Sequence, residues 1–397
     1  MLIGLVGKPS SGKSTFFSAA TLIDVAIASY PFTTIEPNKG IGFVRVECID
    51  KEFGVQCNPR TGFCKNHVRY VPVELMDVAG LVPDAHKGVG MGNKFMDDLR
   101  QADALIHIVD ASGGTNEKGE IVPAGSHDPL KDVEFLEREI DLWFYGVVQR
   151  NWVKFSKMQF QSKARLLEEL SQILSGISGN AFIIEKAMVK TGVAEKKPGD
   201  WSQEEIMNFA RELRRTSKPI IIAANKADKP AAKENIERMK KAFPHLKITA
   251  CSGVAELALR KAARDGVIEY YPGDSGFKEL REPGEDQKKG LDFIKQTVLE
   301  KFGSTGVQAI LDETVFGVLG YKAIFPAGAT KLADQHGNIL PDCFLMPGNA
   351  TALDFAFKLH SDIGNNFIKA VDARTKQLVG KDHVLKHRDA LEIAFQK

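Results

Sequence analysis

The chain has 397 residues, more than one typical domain, and 43% of them are hydrophobic, which suits folded globular domains. Its 53 basic and 51 acidic residues nearly cancel, so no overall charge draws it to nucleic acid or to a membrane surface. The first apolar run, residues 1–6, is too short for an export signal or a membrane span. Its five cysteines are an odd number, which favours reduced thiols. These features predict two or three domains in a cytoplasmic protein with no membrane partner and no DNA partner.

The first motif is a glycine-rich loop between a predicted strand and a predicted helix. Residues 2–6 form an apolar run, residues 7–14 read GKPSSGKS and fit G-x-x-x-x-G-K-[ST], and helix-compatible residues follow as far as residue 20. Such a loop surrounds nucleotide phosphates with backbone N–H groups, while Lys13 reaches the β- and γ-phosphates and Ser14 reaches Mg²⁺. The predicted nucleotide contacts in this loop are Gly7, Lys8, Pro9, Ser10, Ser11, Gly12, Lys13, Ser14 and Thr15.

Four later apolar runs predict the remainder of an α/β sheet. The run VELMDVAG at residues 73–80 ends in Asp77-x-x-Gly80, which predicts a carboxylate near Mg²⁺ and a glycine amide near the γ-phosphate. Strands are also predicted in residues 104–112, 220–225 and 247–252. Because helical stretches alternate with these strands, the sequence predicts a mostly parallel sheet.

The apolar run IIIAAN at residues 220–225 leads into the N-K-x-D motif of Asn225, Lys226 and Asp228. Polar groups at the carboxyl end of a buried strand lie where open α/β sheets bind ligands. The Asp228 carboxylate can accept hydrogen bonds from N1–H and the N2 amine of guanine, and adenine offers neither donor there. Asn225 is expected to tie this loop to the phosphate loop. The two loops together predict GTP or GDP as the ligand.

Three stretches resemble the Obg/YchF-type GTPases of the translation-factor class almost residue for residue. They are YPFTTIEPNKG at residues 30–40, DVAGLVPDAHKGVGMGNKF at 77–95 and DDLRQADALIHIVDAS at 97–112. The resemblance covers most of the chain and implies a Mg²⁺-dependent P-loop GTPase. Several members with a YchF-like layout lack N-K-x-D and prefer ATP, but this chain keeps the motif. The resemblance and the base chemistry therefore agree on GTP.

The same resemblance assigns roles to single residues. It implies that Thr34, or else Thr33, closes on Mg²⁺ when GTP is bound, and that the last base-contacting loop is CSGVAE at residues 251–256. The predicted metal ligands are Ser14, Thr34 and Asp77. The predicted catalytic residues are Lys13, Thr34 and Gly80. The predicted nucleotide contacts of the base loops are Asn225, Lys226, Asp228, Ser252 and Gly253.

Two positions bear on the rate of hydrolysis. Leu81 occupies the place where Ras-like enzymes have a glutamine that orients the attacking water, so slow turnover is expected. The group that positions the attacking water is left open: it is a backbone group, a switch side chain such as His86, or a group of a partner. Ser10 stands where many relatives have an asparagine associated with K⁺-assisted hydrolysis, so we expect K⁺ to change the rate little.

Two further regions lie outside the predicted nucleotide domain. Apolar residues recur at helical spacing after Asp128-Pro129 and again from Leu166 to Leu174, which predicts a helical insertion like that of the YchF branch. From Tyr321 onward, short strands, a hairpin at residues 336–338 and a helix from Ala350 to Leu359 resemble a TGS domain, a small β-grasp module. The resemblance implies a ribosome or structured RNA as a partner, and a purely structural module is the alternative.

A cysteine-rich stretch, CNPRTGFCKNH, lies at residues 57–67. Cys57, Cys64 and His67, together with Cys48, are four residues of the types that bind zinc. The C-x₆-C spacing is not a compact zinc spacing, however, and a β-hairpin with free thiols or a disulfide is the competing interpretation.

The predicted organisation is a P-loop GTPase domain in residues 1–127 and 201–320, a helical insertion in 128–200 and a TGS-like β-grasp domain in 321–397. The predicted function is a GTP-binding switch with slow Mg²⁺-dependent hydrolysis, linked to the ribosome or to RNA. The alternative is an adaptor that binds the nucleotide without hydrolysing it.

Overall fold

The computed structural model describes residues 1–21, 38–78, 92–158, 160, 162–177, 180–328, 332–334 and 336–396. The strands of this part of the chain are β1 (Leu2–Val6), β2 (Lys39–Glu47), β3 (Phe63–Lys65), β4 (Val68–Asp77), β5 (Ala104–Asp110), β6 (Ile220–Asn225), β7 (Lys247–Ala250), β8 (Ile268–Glu269), β9 (Lys278–Glu279), β10 (Lys322–Pro326), β11 (Phe344–Met346), β12 (Phe367–Asp372), β13 (Leu378–Val379) and β14 (Ala390–Phe395). Its α-helices are α1 (Lys13–Thr21), α2 (Gly92–Gln101), α3 (Pro129–Phe155), α4 (Lys163–Ile173), α5 (Ala181–Lys190), α6 (Gln203–Ser217), α7 (Ala232–Ala242), α8 (Gly253–Arg264), α9 (Glu285–Ile294), α10 (Glu300–Phe302), α11 (Val307–Asp312), α12 (Ala352–Leu359) and α13 (Ser361–Asn365).

The chain divides into two compact units. The first contains residues 1–19 and 75–307, and the second contains residues 20–74 and 308–397. The sequence did not lead us to expect residues 20–74 in one unit with the C-terminal residues. The three-part organisation drawn from the sequence stays a prediction.

The first unit contains a parallel sheet. Its strands follow the order β4-β1-β5-β6-β7, with β4 contributing its carboxyl end, and the pairs β1/β5, β5/β6 and β6/β7 are all parallel. Both β5 and β6 are buried along their whole length, as expected of apolar strands covered on two faces. The predicted α/β fold is therefore confirmed, and the carboxyl ends of β1, β5 and β6 meet at one edge of the sheet.

Long helices cover this sheet. The helix α3 begins at Pro129 as predicted, where the Asp128 carboxylate accepts a hydrogen bond from the Leu130 amide at 3.2 Å. It packs against α6, whose start is fixed by a capping box between Ser202 and Glu205. The predicted helical insertion is thus present as α3, α4 and α5.

A buried cation joins α3 to α6. The Arg214 guanidinium is 1% exposed and donates to Glu137 and to Asp141 at 2.8 Å each. A buried arginine is tolerated because two carboxylates surround it, and the loss of either carboxylate would leave a buried N–H group of the guanidinium without its hydrogen-bond acceptor.

The C-terminal residues of the second unit form a mixed five-stranded sheet. Its order is β11-β10-β14-β12-β13, with β10 and β14 parallel and the other pairs antiparallel. The helix α12 begins after the N-cap residue Thr351 and buries Phe355 against this sheet. The predicted β-grasp fold is confirmed, and the predicted hairpin is present, with Gly337 at a φ of +84° and an Ala333–Ile339 bridge.

The same unit contains the predicted hairpin of residues 57–67, formed by β3 and β4. Lys65 pairs with Val68, and the two turn residues Asn66 and His67 have φ values of +49° and +60°. Two successive positive φ angles are typical of the type I′ turn, which matches the twist of paired strands. This pairing explains why β4 begins at Val68 rather than at the predicted residue 73.

None of the helices in the described ranges is both long enough and apolar enough to cross a membrane.

Candidate nucleotide site

The carboxyl edge of the first unit's sheet carries a cleft of about 610 Å³. This volume lies within the range of about 300–1,000 Å³ that is usual for small-molecule sites. The residues that line it are Gly7, Lys8, Pro9, Ser10, Gly12, Lys13, Ser14, Thr15, Asn225, Lys226, Asp228, Lys229 and Val254. Residues predicted from two distant motifs are therefore brought to one cleft.

The phosphate loop curls tightly between β1 and α1. A Cβ atom at Gly7 would lie 2.6 Å from the Ile108 carbonyl oxygen, so only glycine fits there. The amide of Phe16 donates to the Gly12 carbonyl at 2.9 Å, which closes the first turn of α1. A helix N-terminus with free backbone N–H groups is a ready site for phosphate anions.

The Asn225 side chain connects the phosphate loop to the loop that follows β7. Its Nδ2 donates to the Ser11 carbonyl at 2.9 Å, and its Oδ1 accepts from the Gly253 amide at 3.0 Å. Gly12 has a φ of +94°, and a Cβ atom there would lie 2.2 Å from Asn225 Nδ2. Ser11, which the sequence placed among the nucleotide contacts, is buried and meets Asn225 through its carbonyl.

The Asp228 carboxylate is held by the residue that begins α8. The Ser252 hydroxyl donates to Asp228 Oδ1 at 2.9 Å and, as N-cap, accepts from the Ala255 amide at 3.3 Å. The Ser252 amide in turn donates to the Thr305 carbonyl at 2.9 Å. Asp228 is thereby oriented at the cleft by groups from two other segments.

Lys226 and Asp110 form an ion pair that the sequence analysis did not predict. Lys226 has a φ of +60°, and its ammonium group lies 2.8 Å from Asp110 Oδ2. Burial would raise the pKa of Asp110, but hydrogen bonds from Lys226 and Ser112 outweigh burial and lower the pKa below its usual range. The position of Asp110 at the end of β5 was the only signal in the sequence.

A second ion pair missed by the sequence analysis lies beside the phosphate loop. The Lys8 ammonium is 2.7 Å from Asp132 of α3, and it also donates to the Thr115 carbonyl at 2.8 Å. His127 contacts the other oxygen of Asp132 at 2.8 Å. Lys8 is therefore held by its neighbours in the first unit as well as lining the cleft.

Lys13 and Asp77 lie together at the end of the phosphate loop. Lys13 Nζ is 2.6 Å from Asp77 Oδ1 and also donates to the Val78 carbonyl. Ser14 follows at the start of α1, so an oxygen ligand from each of two segments is available near the phosphate loop. Mg²⁺ prefers oxygen ligands such as carboxylates and hydroxyls, so the donor types of Asp77 and Ser14 suit this ion.

The remaining predicted positions lie outside the described residues. These are the switch threonine Thr34 and its alternative Thr33, together with Gly80, Leu81 and His86.

Three known families match parts of the chain. Residues 2–136 match the family described as 50S ribosome-binding GTPase, residues 223–328 match the G4 motif-containing domain of the YGR210-like Obg-like GTPases, and residues 326–394 match the TGS domain. A GTP-binding protein of Methanocaldococcus jannaschii is 44% identical over 99% of this chain and 98% of its own length.

The chain belongs to the Obg-like GTP-binding proteins. A second relative of this GTP-binding protein, the protein of Bacillus subtilis named ribosome-binding ATPase YchF, is 28% identical over 99% of the chain and 98% of its own length. The crystal structure of a GTP-binding protein from Pyrococcus horikoshii is similar over the whole of both chains, with 39% identity and a TM-score of 0.79. The YchF GTPase of Schizosaccharomyces pombe shares the fold, with a TM-score of 0.60, 20% identity and coverage of 99% of this chain and 97% of its own.

The contact between Gly12 and Asn225 generates a test in this Obg-like protein. We expect Gly12→Ala to weaken GDP binding at least tenfold, because the new methyl group would displace the Asn225 amide and the left-handed backbone would be strained. Calorimetric titration with GDP measures the change. The matched control is Gly266→Ala, since Gly266 has a φ of +69° but open space around it. Equal losses in the two variants would show that the contact with Asn225 does not matter.

Proposed function

We propose that this chain is a guanine-nucleotide switch that hydrolyses GTP slowly with Mg²⁺ and acts on the ribosome. One observation carries the guanine part of the proposal. The Asp228 carboxylate is oriented by the Ser252 hydroxyl at 2.9 Å, on the same cleft as the phosphate loop. Nucleotide phosphates and base are therefore expected to bind at the two ends of one cleft.

The choice of GTP over ATP follows from the hydrogen bonds that Asp228 can accept. Guanine presents N1–H and the N2 amine to a carboxylate, whereas adenine presents a lone pair at N1 and no amine at C2. Hydrogen bonds to a charged group contribute roughly 1.5–3 kcal/mol each, so the loss of two disfavours ATP by roughly 3–6 kcal/mol. On this reasoning the chain is expected to prefer GTP, although some of its relatives are named ATPases.

Replacing Asp228 tests the assignment of the base. In Asp228→Asn, an amide N–H can donate to the 2-oxo group of xanthine, so we expect GDP affinity to fall at least a hundredfold and XDP affinity to rise. Competition titrations with GDP, XDP and ADP measure both changes, and ADP should compete poorly against the unaltered protein. Asp265→Asn is the control, because Asp265 is an exposed carboxylate at the end of α8. If XDP gains nothing, Asp228 does not face the base.

The proposed hydrolysis uses Lys13 on the β- and γ-phosphates, with Ser14, Asp77 and Thr34 as ligands of Mg²⁺. The bound ion would neutralise charge on the phosphate oxygens. The close approach of Lys13 to Asp77 supports this, because a phosphate and an ion bound there would engage both charged groups at once. The Gly80 amide is proposed to contact the γ-phosphate, as the resemblance implies.

Sustained phosphate release distinguishes hydrolysis from the rival function, an adaptor that only binds the nucleotide. With purified full-length protein, GTP and Mg²⁺, we expect slow multiple turnover that EDTA stops. Lys13→Ala should reduce the rate at least a hundredfold, because the negative charge that develops on the phosphate in the transition state loses the lysine cation that stabilises it. Lys240→Ala in α7 is the control, since Lys240 is exposed and pairs with Glu237 on its own helix. Tight GTP binding without any turnover would favour the adaptor. Leu81→Gln should remain slow, and replacing Na⁺ by K⁺ should change little.

Ribosome binding is proposed through residues 321–397. The TGS match and the names of two matches, one a 50S ribosome-binding GTPase and one a ribosome-binding ATPase, support it. Among the described residues of this region, five lysines are exposed and provide moderate positive charge for phosphate contacts; they are Lys358, Lys369, Lys376, Lys381 and Lys386.

Co-sedimentation with ribosomes tests this contact in the full chain, because truncation at residue 320 would cut through the second compact unit. We expect binding with a non-hydrolysable GTP analogue that exceeds binding with GDP and weakens with salt. The double change Lys369→Glu and Lys381→Glu should abolish it. The charge-matched control is Lys157→Glu with Lys197→Glu, both exposed in the helical region. If the two double variants sediment with ribosomes to the same extent, Lys369 and Lys381 do not contribute to the ribosome interface in the way proposed.

A further inference from the structure

Four residues of the second unit, none of which lines the nucleotide cleft, bring metal-binding atoms together. The Sγ atoms of Cys48, Cys57 and Cys64 and a carboxylate oxygen of Asp50 all lie within 4.8 Å of one another. Cys48 follows β2, Asp50 lies in the short 3₁₀ turn Ile49–Lys51, and Cys64 lies in β3. Cys48, Asp50 and Cys57 are buried, and Cys64 is half-buried.

The spacing of the four atoms suits a tetrahedral ion better than a disulfide. Zinc–sulfur bonds of about 2.3 Å place two thiolates about 3.8 Å apart across a tetrahedral angle, and a thiolate and a carboxylate oxygen about 3.5 Å apart. The Sγ atoms of Cys48 and Cys57 are 3.6 Å apart, and Cys64 Sγ is 3.7 Å from Asp50 Oδ2. A disulfide requires about 2.05 Å, so the thiols stand at ligand spacing.

The Asp50 carboxylate is fixed in place by its neighbours. Its Oδ2 accepts hydrogen bonds from the Cys57 amide at 3.0 Å and from Gln56 Nε2 at 3.4 Å. Its Oδ1 lies 2.9 Å from His67 Nδ1, so the imidazole holds the far side of the carboxylate. Ligating carboxylates are commonly held by such outer hydrogen bonds, which orient them toward the ion.

A buried cation lies beside one of the three thiols. The Arg69 guanidinium is 1% exposed, and its Nη1 is 3.6 Å from Cys57 Sγ. Its other hydrogen bonds within the described residues go to the carbonyl oxygens of Leu340 and Pro341, which carry no full charge. A buried cation needs a nearby negative charge, and zinc-bound thiolates would supply it.

We infer that Cys48, Asp50, Cys57 and Cys64 bind one Zn²⁺ ion in a closed structural site. Three thiolates and one carboxylate complete four-coordination and leave no open position for a substrate, and soft sulfur ligands select zinc over Mg²⁺ or Ca²⁺. His67, which the sequence offered as a ligand, instead supports Asp50. Deprotonation of the three thiols on binding releases their protons to water.

The ion would fix a loop that is bonded to the C-terminal part of the same unit. Close to Cys57 in sequence, the Asn58 amide donates to the Ile339 carbonyl at 3.1 Å and the Arg60 amide donates to the Pro341 carbonyl at 3.0 Å. Since Arg69 also bonds to this segment, the site would hold both sides of the loop against residues 339–341.

Metal analysis of the untagged full chain, purified under reducing conditions without chelator, tests the inference. We expect about one zinc per chain, retained on dialysis and released by a thiol-specific mercurial. The Cys64→Ser variant should lose the zinc, and the midpoint of its thermal unfolding should no longer respond to added Zn²⁺. Cys343→Ser is the matched control, because Cys343 is a buried cysteine of the same unit outside the cluster, and it should keep the zinc. In His67→Gln, zinc should remain, with affinity about 10–100-fold weaker in chelator competition.

Replacement of zinc by Co²⁺ gives a second readout that does not depend on any variant. The cobalt protein should show the visible bands of a tetrahedral ion and thiolate-to-cobalt charge transfer in the near ultraviolet. A metal-free protein that also fails to bind added Zn²⁺ would overturn the site. A disulfide between two of the three cluster cysteines, located by peptide mapping under non-reducing conditions, would overturn it too. Loss of zinc in Cys343→Ser would overturn the assigned ligand set.

Discussion

The geometry of the nucleotide cleft depends on a single side chain, the amide of Asn225. It bonds to the Ser11 carbonyl at 2.9 Å and to the Gly253 amide at 3.0 Å, so three segments far apart in sequence share one buried polar group. Asn225 is only 3% exposed, and a buried amide must have its hydrogen bonds satisfied. The phosphate loop and the base loops are therefore fixed relative to each other by hydrogen bonds within the protein, which reduces the ordering cost of nucleotide binding.

Buried ionisable groups reinforce the same loops. Asp110 is 0% exposed and pairs with Lys226, so this ion pair ties the turn after β6 to the end of β5. In the first turn of α8, Glu256 accepts hydrogen bonds from Tyr270 and Thr305, although burial still raises its pKa. Groups of this kind are costly to leave unpaired, so each one selects a single arrangement of its loop. The helix that carries Ser252 is thereby anchored at its start.

How much of this could be read from the sequence depended on how local each signal was. The strands β1 and β6, the start of α3 and most residues that line the cleft followed from short patterns of apolar spacing and from motifs with a known mechanism, whereas Lys229 and Val254 of the cleft lining were not predicted. The ion pair of Asp110 and Lys226 joins residues far apart in the chain, and no local sequence pattern predicts it. Likewise, the residue type suggested His67 as the companion of the thiols. Asp50 was missed, because no local pattern shows that the 3₁₀ turn after β2 places its carboxylate beside the Cys57 amide, or that the hairpin turn places His67 behind that carboxylate.

Fold and nucleotide choice are separate properties in this family. The relatives of this chain include proteins named as GTP-binding and proteins named as ATPases, so a shared fold does not by itself fix the base. The proposal for this chain therefore depends on the chemistry at the proposed base end of the cleft, where one carboxylate can accept two hydrogen bonds from guanine. In this chain, Asp228 is present and is held by Ser252, whose own position depends on Thr305 and on the cap of α8. The proposed preference for guanine thus depends on how rigidly the Asp228 carboxylate is oriented. A mobile carboxylate would be hydrated by water and would discriminate less between guanine and adenine.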